Sequence, residues 1–391
     1  MTSAAVTAST RRTRVRATAV ALLGAVSVAT LGACTLDGAP VRAPVSIDAG
    51  RYPTSPGPAE PDAATPGAVA RLQSIRLADH VILTDEADPA FTSTSVMSIP
   101  LTSMKKVDLL MPGTEHIGAA DAYRYGFSTV ASDPKAPESS ISHAVLAFAD
   151  SASASAAAAQ LAAAGRRASD GRTGVPIAGL PASAQVAQGP SAGVAESPAT
   201  YVSMAFTPIG DTVVYTRVQD RSADRSRKVV VAAYDKQRAM LAGYRPDPGS
   251  EVDPHGLLRA TLPDRSNALM AHIVVGRRGE AHFYDEPSKT LRTLEDLGIA
   301  ESAKNLSQVY RAGSTEKARA WQRYLETSYA VDRRQEAAAP LDLPGVGCFY
   351  RRSSSVVCLM TVGEYVAEIS ATKLTDAHQQ ASAQYLILKK M

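Results

Sequence analysis

The sequence predicts an α+β protein of two domains, each an antiparallel sheet of β-hairpins with helices packed on one face. A signal peptide and a disordered, proline-rich linker precede them. Three observations carry this expectation. Short apolar runs flanking polar turns recur as hairpins, stretches of helical length alternate with them, and a Pro/Gly-rich break divides the chain past its middle.

The chain opens with Arg11, Arg12, Arg14 and Arg16 and carries no acid before Asp37. A weakly apolar run from Ala17 to Thr30 follows. A charged start, a short apolar centre and small residues at its end make the secretory pattern. The run falls short of the roughly 20 apolar residues that a permanent membrane helix needs. It ends in Leu31-Gly32-Ala33-Cys34, which looks like a bacterial lipobox. In that chemistry the Cys34 sulfur takes a diacylglyceryl group and cleavage before Cys34 frees its amine. Small neighbours let the backbone enter the peptidase. The expectation is a lipid-anchored protein on the outer face of the membrane, with residues 1–33 removed. The Arg11-Arg12 pair lacks the apolar-plus-Lys continuation of twin-arginine export.

Residues 34–66 carry Pro40, Pro44, Pro53, Pro56, Pro58, Pro61 and Pro66 among small residues, which predicts an extended tether. The first domain is expected over 67–247. It begins with a helix from Val69 to about Asp79. Val145 to Phe148 reads as a buried strand, and Ser151 to Ala164 as an Ala-rich helix ended by Gly165. A hairpin follows, Tyr201–Phe206 and Thr212–Val218 around Gly210-Asp211, and then a helix from Ala223 to Leu241. Arg245 to Ser250 reads as the linker.

The second domain, 248–391, repeats this grammar. A hairpin is expected over Ala271–Tyr284 around Gly276-Arg277-Arg278-Gly279, then a helix near Ser288–Leu297. A strand at Ser307–Arg311 and a helix from Thr315 to Tyr329 come next; Ala318, Trp321, Leu325 and Ser328 share one face of that helix. A hairpin between Cys348 and Cys358, a strand Glu364–Ala371 and a helix Asp376–Leu388 end the chain. Both halves turn a hairpin on Gly followed by an acid, Gly210-Asp211 and Gly363-Glu364, so a diverged duplication is a further expectation.

Three cysteines divide by role. Cys34 is the lipidation site, which leaves Cys348 and Cys358 as an even pair for an oxidising compartment. Centring their hairpin on Ser353 sets the two opposite each other, within reach of a disulfide. Neither C-x-x-C spacing nor neighbouring histidines suggest metal or redox work. The net charge of +3 falls once the signal arginines leave, so no nucleic-acid partner is expected.

Catalytic and cofactor signatures are weak. Gly189-Pro190-Ser191-Ala192-Gly193 fits the G-x-S-x-G of a nucleophile elbow, which would make Ser191 an ester-hydrolase nucleophile. Pro198 and the lack of a following helical stretch argue against it. His272 and His282 would share a face only if their hairpin had a three-residue loop, and could then pair on a metal. His80, beside Asp79 at a helix end, reads as solvated or capping. Asp85-Glu86-Ala87-Asp88 lacks the spacing and glycine of a calcium loop. Arg225-Ser226-Arg227-Lys228, with Arg221, is the main basic cluster and could meet anionic headgroups or wall polymer; a solvated face is the simpler reading. No metal, cofactor or catalytic residue is expected.

The lipobox, Gly50-Arg51-Tyr52-Pro53-Thr54, Arg76-Leu77-Ala78-Asp79 and Asp88-Pro89 resemble an uncharacterised actinobacterial family of envelope lipoproteins, known from mycobacteria and nocardia. The likeness is clearest in the Cys348/Cys358 pair, Gly363-Glu364-Tyr365-Val366-Ala367 and Gln379-Gln380-Ala381-Ser382-Ala383-Gln384-Tyr385. It implies the same compartment and a two-part architecture, and it brings no catalytic residues. The functional expectation is a non-catalytic membrane-anchored protein that binds an envelope lipid, glycan or protein partner. An envelope ester hydrolase and a structural subunit of an envelope complex are the alternatives.

Overall fold

A glycine at positive φ turns a hairpin in each half, Gly210 at 58° and Gly363 at 59°, a conformation that a side chain disfavours. The first joins β5 (Thr200–Ile209) to β6 (Thr212–Asp220), and the second joins β12 (Val356–Val362) to β13 (Tyr365–Ala371). In both, the carbonyl of the acid after the glycine accepts the amide that ends a neighbouring strand: Phe148 N donates to Asp211 O at 2.9 Å, and Ala312 N to Glu364 O at 2.9 Å. Two residues beyond each amide stands the cap of the next helix, Asp150 in one half and Ser314 in the other.

These details belong to a computed structural model that describes residues 47–94, 98–168, 171–191, 199–264, 268, 270–330, 335–351 and 355–391. The lipobox, Leu31 to Cys34, lies outside them. In the first half, α1 (Pro66–Ala78), α2 (Thr84–Ala87), β1 (Ile99–Leu101) and α3 (Met104–Asp108) precede β2 (Tyr123–Asp133) and β3 (Ala136–Phe148). Then come α4 (Ser151–Arg167), β4 (Gln185–Ser191), the β5–β6 hairpin and α5 (Ala223–Leu241). In the second half, β7 (Ile273–Gly276), α6 (Arg277–Ala281) and α7 (Pro287–Asp296) lead to β8 (Glu301–Lys304) and β9 (Ser307–Arg311). They are followed by α8 (Thr315–Ala330), β10 (Glu336–Ala337), β11 (Gly347–Tyr350), the β12–β13 hairpin and α9 (Leu374–Leu388).

The first sheet runs β1-β2-β3-β6-β5-β4 and the second β10-β11-β12-β13-β9-β8-β7, every neighbouring pair antiparallel. Reversing the second order and leaving out β10 gives the first order, strand for strand. The helices follow suit: α4 and α8 precede the last three matched strands, and α5 and α9 end each half.

The α+β class holds, with one correction: helices cover both faces of each sheet. Met204 and Phe206 pack with Leu161 of α4, whereas Ala205 and Val186 face Val229 and Val230 of α5. In the second half Val357 and Leu359 face Trp321 and Leu325 of α8, while Cys358 and Met360 face Ala377 and Ala381 of α9. The physical reason is written in β12, whose run Val356-Val357-Cys358-Leu359-Met360 is buried at every position. A strand solvated on one face would alternate.

Two further expectations are corrected. The hairpin over Ala271–Tyr284 does not form, because the chain enters α6 straight after Gly276 and β7 pairs with β8 instead. The cause is a distant cap, described below. Residues 47–63 do not stand free as part of a spacer; they run in extended form along the second half. Tyr52 OH donates to Asp376 Oδ1 at 2.6 Å, Gly57 N to Arg259 O at 2.9 Å and Ala63 N to Ser250 O at 2.8 Å. A proline-rich segment builds no core of its own, yet its free backbone groups and few apolar side chains can complete another surface. Ala63 is buried there.

Candidate functional site

α1 lies between the two sheets, and its last turn, Arg76-Leu77-Ala78-Asp79, ties the halves together. Arg76 pairs with Asp247 at 2.9 Å and donates to the carbonyls of Gly249 (2.6 Å) and Glu251 (3.0 Å). Asp79 Oδ1 accepts the Gly279 amide at 2.8 Å, so a carboxylate at the end of one helix caps the start of α6, some 200 residues later. A side chain at Gly276 would collide with that carboxylate. Burial pushes the Asp79 carboxyl above the usual carboxylate range, against the opposing pull of the Gly279 and Arg278 amides. Beyond it, Ala78 O accepts His282 Nε2 at 3.1 Å.

The stretch Asp85-Glu86-Ala87-Asp88 forms part of the same seam, and α2 carries most of it. Asp85 accepts the Ser288 hydroxyl at 2.6 Å, and Glu86 takes a two-pronged contact from Arg278 at 2.9 and 3.1 Å. Asp88 pairs with Arg225 at 3.1 Å. These carboxylates are engaged by protein groups.

Where α1 crosses β7, a cavity of about 310 Å³ opens between the halves. Its walls are Ala68, Leu72 and Ile75 from α1, Ile273 and Val274 from β7, and Val252; Glu60, Asp62, Arg71 and His272 stand among them. The strap 60–63 closes one side, held by Ala63 to Ser250 O and by the Ser250 hydroxyl on Asp62 at 2.9 Å. Arg71 donates to Ala271 O at 3.0 Å. His272 has a φ of 55°, its Nε2 donates to Asp264 O at 2.8 Å, and its Nδ1 lies 3.6 Å from Glu60 Oε1. A non-glycine residue in the left-handed region costs on the order of 1–3 kcal/mol and persists where its surroundings impose it. The lining contains no Ser, Thr or Cys among the described residues. The arrangement suits binding: an apolar wall takes up an apolar group, and charges of both signs meet a polar head.

Three buried polar groups elsewhere are held by the fold, although His282 Nδ1 has no hydrogen-bond partner among the described residues. His143 Nε2 donates to Gln237 Oε1 at 3.0 Å while Thr216 donates to its Nδ1 at 2.9 Å; burial pushes its pKa down to about 4. Gln237 in turn donates to His80 O at 2.7 Å. His282, against the Phe127 ring at 5.1 Å, is pushed down to about 3, again mainly by burial. Glu280 is 1% exposed and accepts from Ser302 (2.6 Å), Gln308 (2.7 Å) and Tyr310 (3.1 Å), with Lys304 at 3.0 Å. It is a satisfied pin between α6 and strands β8 and β9.

The predicted site residues fare differently. Cys348 and Cys358 are paired in register across β11 and β12 and form a disulfide. Ser191 is the last residue of β4, opposite Thr200 of β5, and the other edge of β4 is bridged at Gln188 by Thr173. The glycine two before it is explained by packing, since a side chain at Gly189 would strike the Gly171 carbonyl. His272 and His282 are not brought together as a metal pair: the first lies at the cavity, and the second is buried under α1. Among the described residues no group of three or more His, Cys, Asp or Glu could hold a metal ion.

The basic cluster is largely paired within the protein. Arg221 meets Glu138, Arg225 meets Asp88 and Asp220, and Arg227 meets Asp224. His80 packs against Tyr244 with ring centroids 4.7 Å apart and the rings tilted by 47°. Sequence reasoning missed the cavity, whose walls come from positions about 200 residues apart, and it missed Glu280, whose partners are all on other elements.

Residues 60–254 match the family description "Domain of unknown function (DUF7373) N-terminal", and residues 257–391 match "Domain of unknown function (DUF7373) C-terminal". No curated protein matches the chain. Among solved structures, the extracellular domain of PknH from Mycobacterium tuberculosis is similar at 13% identity and a TM-score of 0.25, covering 42% of this chain and 95% of that one. Among the described residues no helix is long and apolar enough to cross a membrane.

Proposed function

The chain belongs to the DUF7373 family, and from that premise we propose that it is a non-catalytic lipoprotein of the actinobacterial envelope. In this reading Cys34 carries the lipid, and the cavity between α1 and β7 takes a small amphiphilic envelope ligand. The single observation that supports the ligand most is that cavity, with its apolar walls and polar groups. The anchor is supported by the lipobox Leu31-Gly32-Ala33-Cys34 and by a disulfide suited to an oxidising compartment.

Each half of the reading has its own test. In cells of an actinobacterial host, Cys34→Ser should abolish incorporation of labelled palmitate and shift the protein out of the lipid-modified membrane fraction. Unchanged labelling would remove the anchor. For the cavity, a fluorescent fatty acid titrated into the detergent-extracted full chain should bind, and Ala68→Phe, which narrows the cavity at the α1 wall, should weaken binding at least about tenfold, or 1.4 kcal/mol. Equal binding by a folded Ala68→Phe chain would sink the assignment.

A further inference from the structure

A second cavity, of about 490 Å³, lies at the far end of the second sheet and faces solvent between α8, the β12–β13 turn, the loop at Pro344-Gly345 and the end of α9. Its charged lining is Arg319, Arg323 and Lys389, with no acid among its walls. Arg319 and Arg323 stand four residues apart on α8, a like-charge spacing that disfavours an isolated helix by a few tenths of a kcal/mol. None of the three forms a salt bridge among the described residues, although ion pairs are made close by. Arg311 binds Glu364, beside the turn, at 2.7 Å. Glu326, one turn along α8, accepts from Gln322 at 2.8 Å.

The floor between the cations is neutral and already satisfied. Thr361 donates to Gln322 Oε1 at 2.7 Å, and Gln322 Nε2 also reaches Gly345 O at 3.1 Å. Lys389 follows the last turn of α9, where a cation suits the helix end. The two arginines stand three residues from Glu316 and Glu326 on α8, yet among the described residues they pair with neither. Two guanidinium groups and an ammonium line a groove whose walls carry no acid, a set of charged donors that suits an oxyanion.

We propose that this groove binds a phosphoryl group, with Arg319 and Arg323 as its principal ligands and Lys389 as a third charge. The site is separate from the α1–β7 cavity, so the two assignments stand or fall independently. Two sources carry the same chemistry, a free phosphate compound and a phospholipid headgroup.

The test is calorimetric titration of the detergent-extracted full chain with inorganic pyrophosphate, and in parallel with a soluble short-chain phosphatidylglycerol. Binding with a Kd below about 1 mM is expected for at least one probe. Arg319→Gln combined with Arg323→Gln, both on the exposed face of α8, should weaken it at least about tenfold at unchanged melting temperature. The Lys/Lys pair should restore part of the affinity. Tighter binding of the lipid identifies a headgroup, and tighter binding of pyrophosphate identifies a soluble phosphate. No binding of either probe, or binding by a folded Gln/Gln chain within about twofold of the parent, overturns the proposal.

Discussion

Asp79 acts where its own helix has ended, and the amide it accepts belongs to a helix in the other half. Replacing it with Ala leaves the first turn of α6 uncapped inside the seam. The expected loss is about 1–2 kcal/mol, read by chemical denaturation, with Asn losing less because its oxygen can still accept. The buried histidines make a second residue-scale prediction. His143 and His282 are both held neutral, with pKa values of about 4 and about 3 against 6.5 in an unfolded chain. The unfolded state therefore binds more protons below pH 6.5, and stability falls as pH drops from there toward 4 for His143 and 3 for His282. On the linkage scale of 1.36 kcal/mol per pKa unit, the loss is on the order of 3 kcal/mol for His143 and 5 kcal/mol for His282 by the bottom of each window. Melting temperatures from pH 7 to 4 check this, and a flat profile would contradict it. At this scale the sequence marked Arg76 to Asp79 as a motif without showing its purpose. A hydrogen bond across 200 residues leaves no local signature.

Elements whose stabilising contacts are local were legible. α5 runs Ala223–Leu241 and β9 runs Ser307–Arg311, as expected, because the helix carries its own cap and the strand its own apolar pattern. Where the pattern depends on partners, legibility failed. β2 was not anticipated, since its Ser, Gly and Thr residues look like loop until a sheet neighbour is placed on either side. Gly165 reads in the sequence as the stop of α4, yet the helix continues to Arg167; a side chain at Gly165 would press on Ala187 below. The Cys348–Cys358 hairpin was legible in full register, since its symmetry about Ser353 fixes which residues face each other. Its staple closes a short loop, so a Cys348→Ser/Cys358→Ser chain should lose about 2–3 kcal/mol on the chain-entropy account. Denaturant midpoints of the parent and the double variant measure that loss.

At the scale of the molecule, two sheets share one strand order, one pair of glycine turns and one junction from strand to capped helix. That is the pattern a duplicated unit would leave, and the periodic grammar of the sequence carried its outline. The cavity between α1 and β7 was not legible, because residues 60–75, Val252 and 272–274 meet only when the halves pack. Docking of residues 47–63 has a consequence for the anchor. If Cys34 bears a lipid, only residues 35–46 remain between it and the packed segment, a reach of at most about 45 Å when fully extended. The folded part would then sit close to the membrane surface. A chain beginning at Thr65 should lose the contacts of Tyr52, Gly57 and Ala63. Hydrogen exchange should then show faster exchange along α9 and near Arg259, whereas unchanged protection would mean that the strap contributes nothing.

The most direct measurement is native mass spectrometry of the full chain extracted from its own membranes, beside the Ala68→Phe variant. The account predicts a parent chain that starts at a diacylated Cys34 and carries an amphiphile, and a variant with the same modified start and no amphiphile. A parent chain without bound ligand, or a ligand retained equally by the variant, would contradict it.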